Sequence, residues 1–254
     1  SRKMEIYAGM IDNLDYNVGR LIKYLKDSNQ FDKTIIIFIS DNGAAGEDFY
    51  YNDTYGPYIQ EKFSYDYDLM GTSESFVSLG KAWAEVITFP FKLYKGFTTS
   101  GGMRSPLIIS GLPEKKYSST DQFITLVDIA PSIYNVLNIN YPKRLNNKEI
   151  HKLSGESILP YLFGKKENVH DDGYIFSFEH SGNSVLFKNN WKIVNKTSPF
   201  NRNNFELYHM SDISEMYDMK KKNSKIFSEM LYDWESYVVE KKLIFPTPYI
   251  DNLN

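Results

Sequence analysis

Ser40-Asp41-Asn42-Gly43 stands directly after the apolar run Ile35 to Ile39. A carboxylate beside an amide carbonyl offers the hard oxygen donors that Ca²⁺ and Mg²⁺ take, and in open α/β sheets ligands bind beyond the carboxyl ends of strands. Asp-Asn-Gly is also a common turn, because Asn and Gly accept positive φ, so taken alone the tetrapeptide leaves both readings open. The second candidate is Lys95 to Pro106, KGFTTSGGMRSP. Adjacent Gly101 and Gly102 permit a tight turn, and the flanking Lys95 and Arg104 could face an anion. A solvated lysine and a structurally paired arginine are the plainer alternative.

Other chemistries find no support. The chain has no cysteine, which excludes disulfides, thiolate nucleophiles and zinc ribbons. GxSxG, Walker and GxGxxG motifs are missing. Of the four histidines, His151, His170 and His209 occupy polar or turn contexts and read as surface residues. His180, at a strand end, has no HxxxH or HExxH partner. Asp48, Asp53, Asp66 and Asp68 lack calcium-loop spacing and read as solvated. The net charge of -3 gives no electrostatic case for a nucleic-acid partner or a membrane surface. The longest apolar run, Ile35 to Ile39, is far short of the roughly 20 residues of a spanning helix.

The elements that must position these residues follow from periodicity. Apolar Met4, Tyr7, Ile11, Leu14, Val18, Leu21, Ile22 and Leu25 alternate spacings of three and four, the stripe of an amphipathic helix. Gly19 within it predicts a close approach by a neighbouring element. Thr34 to Ile39 is apolar on both parities and predicts a strand covered on both faces in a parallel sheet. Gly43 to Leu79 reads as a long surface excursion, and Pro106 to Ser110 as a second short buried strand. Asp121 is a candidate N-cap for a helical stretch to Leu137, with Pro131 in a first turn, and Leu153 to Gly164 is a short helical segment. Tyr174 to Phe178, Ser184 to Phe187 and Trp191 to Val194 have the spacing of an antiparallel meander, and Ser224 to Lys242 reads as a helix. With 254 residues, one large or two modest domains are expected. The change of texture after Lys165 places a boundary there, giving 1–165 as an α/β domain and 166–254 as a small α+β domain.

Order and spacing together are more specific than either motif. YAGMIDNLDYNVGRLIKYLKDSNQFDKTIIIFISDNGA resembles the segment of bacterial sulfatases in which a helix feeds a core strand ending in a metal-binding Asp-Asn pair. LYKGFTTSGGMRSPLIISG resembles the segment carrying an active-site lysine before a Gly-Gly-x-Arg-x-Pro signature. ITLVDIAPSIYNVL, LSGESILPYLFG, FEHSGNSVLFKNNWKIV and FELYHMSDISEMYDM follow in the order of that family's C-terminal half. AWAEVITFPFKLYKGFTTSGG points to the bacterial arylsulfatase type.

The resemblance implies part of an alkaline-phosphatase-like mixed sheet sandwiched by helices, followed by a smaller α+β domain with an antiparallel sheet and a C-terminal helix. It makes Asp41 and Asn42 ligands of one divalent cation, Ca²⁺ with Mg²⁺ as the alternative, makes Lys95 a group on the sulfate oxygens, and gives Arg104 a structural role. The family's Cys-or-Ser-x-Pro-x-Arg motif, whose first residue becomes the formylglycine nucleophile, does not occur among the 254 residues, nor do the paired aspartates that complete its metal site. The expectation is therefore the C-terminal half of an arylsulfatase acting on a small sulfate ester, inactive as an isolated chain and prone to self-association through an exposed sheet edge. The alternatives are a phosphodiester or phosphonate monoester hydrolase of the same superfamily and a non-catalytic sulfatase-like domain. The resemblance leaves periplasm and cytoplasm equally open.

Overall fold

The computed structural model describes residues 1–112, 119–197 and 199–245. They form a mixed α/β structure in two compact units, Ser1–Ile109 with Ile175–Asn254, and Ser110–Tyr174.

The predicted amphipathic stripe forms α1, Arg2–Asp27, with Lys23 paired to Asp27 one turn on at 2.7 Å. No residue of α1 is buried, and Met10, Ile11, Leu14 and Leu21 are exposed. The neighbour expected at Gly19 is absent among the described residues, since a Cβ built there meets nothing within 4 Å. A 3-10 turn, Phe31–Lys33, leads into β1, Ile36–Ile39. The long excursion that follows contains α2, Gly56–Lys62, and a 3-10 turn, Tyr67–Leu69. Next come α3, Lys81–Thr88, α4, Ser100–Met103, and β2, Leu107–Ser110. β1 and β2 make a two-stranded sheet. Ser40 N donates to the Pro106 carbonyl at 3.4 Å and Ser105 Oγ to the Ser40 carbonyl at 2.7 Å, which puts the carboxyl end of β1 at the amino end of β2. β1 is not the doubly covered strand that its composition predicts: among the described residues its one pairing is with β2, and no layer fully covers either face, so Ile36 to Phe38 are half-buried and Ile39 is exposed.

In the second unit the helical stretch starts later than Asp121. Thr125 and Asp128 form a capping box, Thr125 N donating to Asp128 Oδ2 at 2.7 Å, around a 3-10 turn, Leu126–Asp128. The reciprocal bonds satisfy two otherwise orphaned amides and fix the entry to α5, Ile129–Val136, with Pro131 in its first turn. A short hairpin, β3, Arg144–Leu145, and β4, Lys148–Glu149, precedes α6, Leu159–Leu162. Asp128 is fully buried, accepts also from Glu156 N at 2.8 Å, and pairs with His170 Nε2 at 3.1 Å. His170 is thus no surface residue: its side chain is 7% exposed and stacks on Tyr174 with ring centroids 3.8 Å apart.

The chain then returns to the first unit as an antiparallel meander of β5, Ile175–His180, β6, Asn183–Lys188, β7, Trp191–Asn195, and β8, Glu206–His209. β8 lies outside the three strands the sequence predicts. Ser181-Gly182 and Asn189-Asn190 all have positive φ, the geometry of two-residue turns whose twist suits a hairpin. Alternation sorts the side chains. Leu186, Ile193 and Leu207 join Phe200, Phe205, Met230, Trp234, Val238 and Phe245 in the main core beneath α7, Ser224–Lys241. The opposite parity, Val185, Val194 and Tyr208, packs with Phe187 and with Met103 of α4. This second face sets the position of the loop that carries Lys95.

Candidate active site

The turn after β1 and the glycine turn around α4 meet backbone to backbone. Gly43 N donates to the Gly102 carbonyl at 2.9 Å, and Lys95 N to the Ala44 carbonyl at 3.0 Å. A Cβ on Gly43 would lie 1.7 Å from the Gly101 oxygen, and one on Gly101 would lie 1.9 Å from the Leu93 oxygen. Only hydrogen fits at either position, so these glycines answer to a turn-on-turn contact and not to turn formation alone.

Asp41 and Asn42 therefore open a turn that is hydrogen-bonded to the backbone of Lys95. Asp41 is exposed and Asn42 half-buried, with Ser40 Oγ donating to the Asn42 carbonyl at 3.1 Å. The Lys95 ammonium lies 3.6 Å from Glu47 Oε1, and both side chains are 41% exposed. An exposed pair of this kind holds weakly, so Lys95 stays available to a stronger anion. Arg104 is exposed and its guanidinium carbon sits 5.0 Å from the centre of the Phe91 ring, a cation–π contact, while its N–H donates to the Ser100 carbonyl at 2.8 Å. Asp41, Asn42 and Lys95 thus belong to one pair of interlocked turns. Asp48 and Asp53 lie farther along the excursion, and His180 ends β5.

The residues that sequence reasoning missed support this loop from the meander and from the turn after β8. Thr98, buried, donates through Oγ1 to the Ser184 carbonyl at 3.1 Å and the Asn195 carbonyl at 3.3 Å. Asn183 Nδ2 reaches the Gly96 carbonyl at 3.3 Å. Glu215, fully buried, accepts from Ser100 N at 2.6 Å through Oε1 and forms a short charge-assisted bond with Lys192. Lys192 Nζ also donates to Ser100 Oγ at 2.6 Å, and Lys92 Nζ to the Glu215 carbonyl at 2.8 Å. Burial pushes both ammonium groups below the ordinary lysine value; Glu215 opposes the shift at Lys192, whereas the Lys196 charge adds to it at Lys92. One signal was available: Lys192 interrupts the apolar run of WKIV.

Asp41 and Asn42 have the donor chemistry of a hard-cation site but are too few for it, since Ca²⁺ takes six to eight oxygens. Among the described residues no group of three or more His, Asp or Glu side chains gathers as a metal site. These residues do not by themselves build a cation centre. No helix among the described residues is long and apolar enough to cross a membrane.

Comparison with known proteins shows the family of the chain. Residues 1–139 match the sulfatase family model. The chain is 32% identical over 256 aligned residues to an uncharacterized sulfatase of Schizosaccharomyces pombe, covering 96% of this chain and 45% of that protein. It is 33% identical over 161 residues to an arylsulfatase of Klebsiella aerogenes, covering 62% of this chain and 34% of that protein. Among solved structures, Ps i-CgsB superposes with a TM-score of 0.64 at 25% identity, over 91% of this chain and 42% of that one. BT4656, determined in complex with its substrate D-glucosamine-2-N,6-O-disulfate, superposes with a TM-score of 0.56 at 19% identity, over 91% of this chain and 39% of that one, and shows the shared fold. The chain spans less than half the length of these relatives. With the family model covering more than half of its residues and a sulfatase 32% identical along nearly all of it, the chain belongs to the sulfatase family.

Proposed function

We propose that this chain supplies part of the active site of a sulfate-ester hydrolase of the arylsulfatase type. The supporting observation is the pair of backbone bonds, Lys95 N to Ala44 O and Gly43 N to Gly102 O, which fastens the Asp41-Asn42 turn to the Lys95 loop. In this reading the Lys95 ammonium binds the sulfuryl oxygens and stabilises the charge that builds on them as the sulfur–oxygen ester bond breaks. Asp41 and Asn42 contribute two oxygen ligands to a divalent cation, Ca²⁺ or Mg²⁺, which when bound draws charge from the same oxygens. The remaining ligands and the formylglycine nucleophile come from residues outside these 254. The net reaction adds water to the ester, giving the alcohol or phenol and hydrogen sulfate.

The test is a substrate panel of a nitrophenyl sulfate, a phosphonate monoester and a phosphate diester, run on the 254-residue chain and on the protein extended to the length of its relatives. The expected outcome is no turnover by the 254 residues and preferential sulfate release by the extended protein. Substitution Lys95→Ala there is expected to lower kcat by about 10²–10³, the usual cost of removing one preorganised donor to a developing oxyanion. Turnover by the 254 residues alone would refute the external nucleophile. Preference for the phosphonate ester would favour the activity named for another protein with this fold, a phosphonate monoester hydrolase of Silicibacter pomeroyi (TM-score 0.52, 13% identity, covering 89% of this chain and 38% of that one). Tight Ca²⁺ uptake by the 254 residues in calorimetry would count against the incomplete ligand set.

A further inference from the structure

The loop from Lys95 to Arg104 is held in place by more than its own turns. On the meander side, β7 alternation puts Lys192 on the same face as Val194, the face that packs Met103. The Lys192 side chain is 4% exposed and Glu215 is 0% exposed, so each charge depends on the other and on the loop. Glu215 itself has positive φ, 51°, in a turn fastened by its own N–H to the Asp212 carbonyl at 3.1 Å. Its Oε1 accepts from the Ser100 amide, at the first residue of α4, and Lys192 Nζ donates to the Ser100 hydroxyl oxygen. Gly101 N donates to the Lys92 carbonyl at 2.9 Å and Gly102 accepts from Gly43, so Ser100 is linked through two residues to the Asp41 turn.

A buried ion pair seldom adds net stability over apolar residues of the same size, because both charges lose hydration. A pair that also clamps a main-chain amide has a second effect, which is to fix where that amide lies. Resting on the reading of Lys95 and Asp41 as site residues, we propose that Glu215, neutralised by Lys192, is a positioning residue of the active site: its carboxylate sets Ser100 and, through Gly101 and Gly102, the relative placement of the Lys95 loop and the Asp41-Asn42 turn. Both side chains are buried, and in this role they act through Ser100. Thr98 and Asn183 hold the earlier half of the same loop, at Thr98 and Gly96, but by neutral side-chain groups that donate to main-chain carbonyls.

The experiment is amide hydrogen exchange, read residue by residue, on the folded 254-residue chain and two double variants. Glu215→Ala with Lys192→Met removes the buried charges and leaves Ser100 N–H without an acceptor. Glu215→Gln with Lys192→Met removes the same charges but keeps an acceptor oxygen. The first variant is expected to speed exchange at Ser100, Gly43 and Lys95 at least tenfold, with Ile193 in β7 and Met230 in α7 unchanged. The second is expected to restore protection at those three amides to within about threefold of the parent chain. Unchanged exchange in the Ala variant, loss confined to Ser100, equal loss in both variants, or parallel loss at Ile193 and Met230 would each overturn the proposal, the last because the pair would then support the whole unit. The readout needs no turnover, so a chain whose extended form fails to hydrolyse sulfate esters can still show the coupling, and the two failures stay separate.

Discussion

At Gly43 and Gly19 the same residue type has opposite consequences. A methyl group at Gly43 lands 1.7 Å from a main-chain oxygen, and main chain on both sides leaves no flexible neighbour to yield. Gly43→Ala is expected to lower unfolding stability by about 1–3 kcal/mol or to displace the turn, read as a lower denaturant midpoint. Gly19→Ala, in the open middle of α1, is expected to raise stability by about 0.5–1 kcal/mol in the same assay. Residue type and order single out Asp41, Asn42 and Lys95 as candidates. Glu215 was not, since a glutamate in a polar turn looks solvated until the fold buries it.

At the scale of elements, local signals predicted what local forces build. The stripe of α1, the hairpin turns and the apolar side of α7 were visible because period and turn chemistry act within a few residues. Pro131 stands in the first turn of α5 as its fixed φ suggests, but Asp121 does not cap the stretch: the Thr125–Asp128 box prevails by satisfying both ends reciprocally. That box leads to a pH effect. Burial first, and then the Asp128 and Glu156 charges, push the Tyr174 hydroxyl up to about 12 from an ordinary 10.0. The folded form thus keeps its proton where the unfolded chain loses it. The resulting stabilisation is complete below pH 10.0 and is lost as pH rises through about 12. Thermal unfolding between pH 9 and 12 is expected to fall more steeply for the parent chain than for Tyr174→Phe. In the other unit, Trp234 is fully buried against Phe200, Phe205 and Phe245, and Trp234→Ala is expected to cost about 3–5 kcal/mol, measured by urea unfolding.

At the scale of the whole molecule, the apolar face of α1 and the half-covered β1 leave hydrophobic surface open in the described residues. Contiguous apolar surface together with an unpaired strand edge favours association. The 254-residue chain is expected to scatter light as an oligomer and to bind an apolar dye. A single species at 29.6 kDa without dye binding would contradict this.

By itself the sequence determined α1, α7 and the hairpins that join β5, β6 and β7, the glycines and oxygen donors of the two turns, and through their order the family. These depend on interactions between near neighbours along the chain, or on residue types that only certain backbone shapes accept. The tertiary structure alone decided that the two turns interlock, that among the described residues β1 has β2 beside it, and that a lysine of the distant meander and a glutamate of the turn after β8 grip Ser100. Those outcomes depend on burial, and burial is a property of which surfaces meet, not of any one segment.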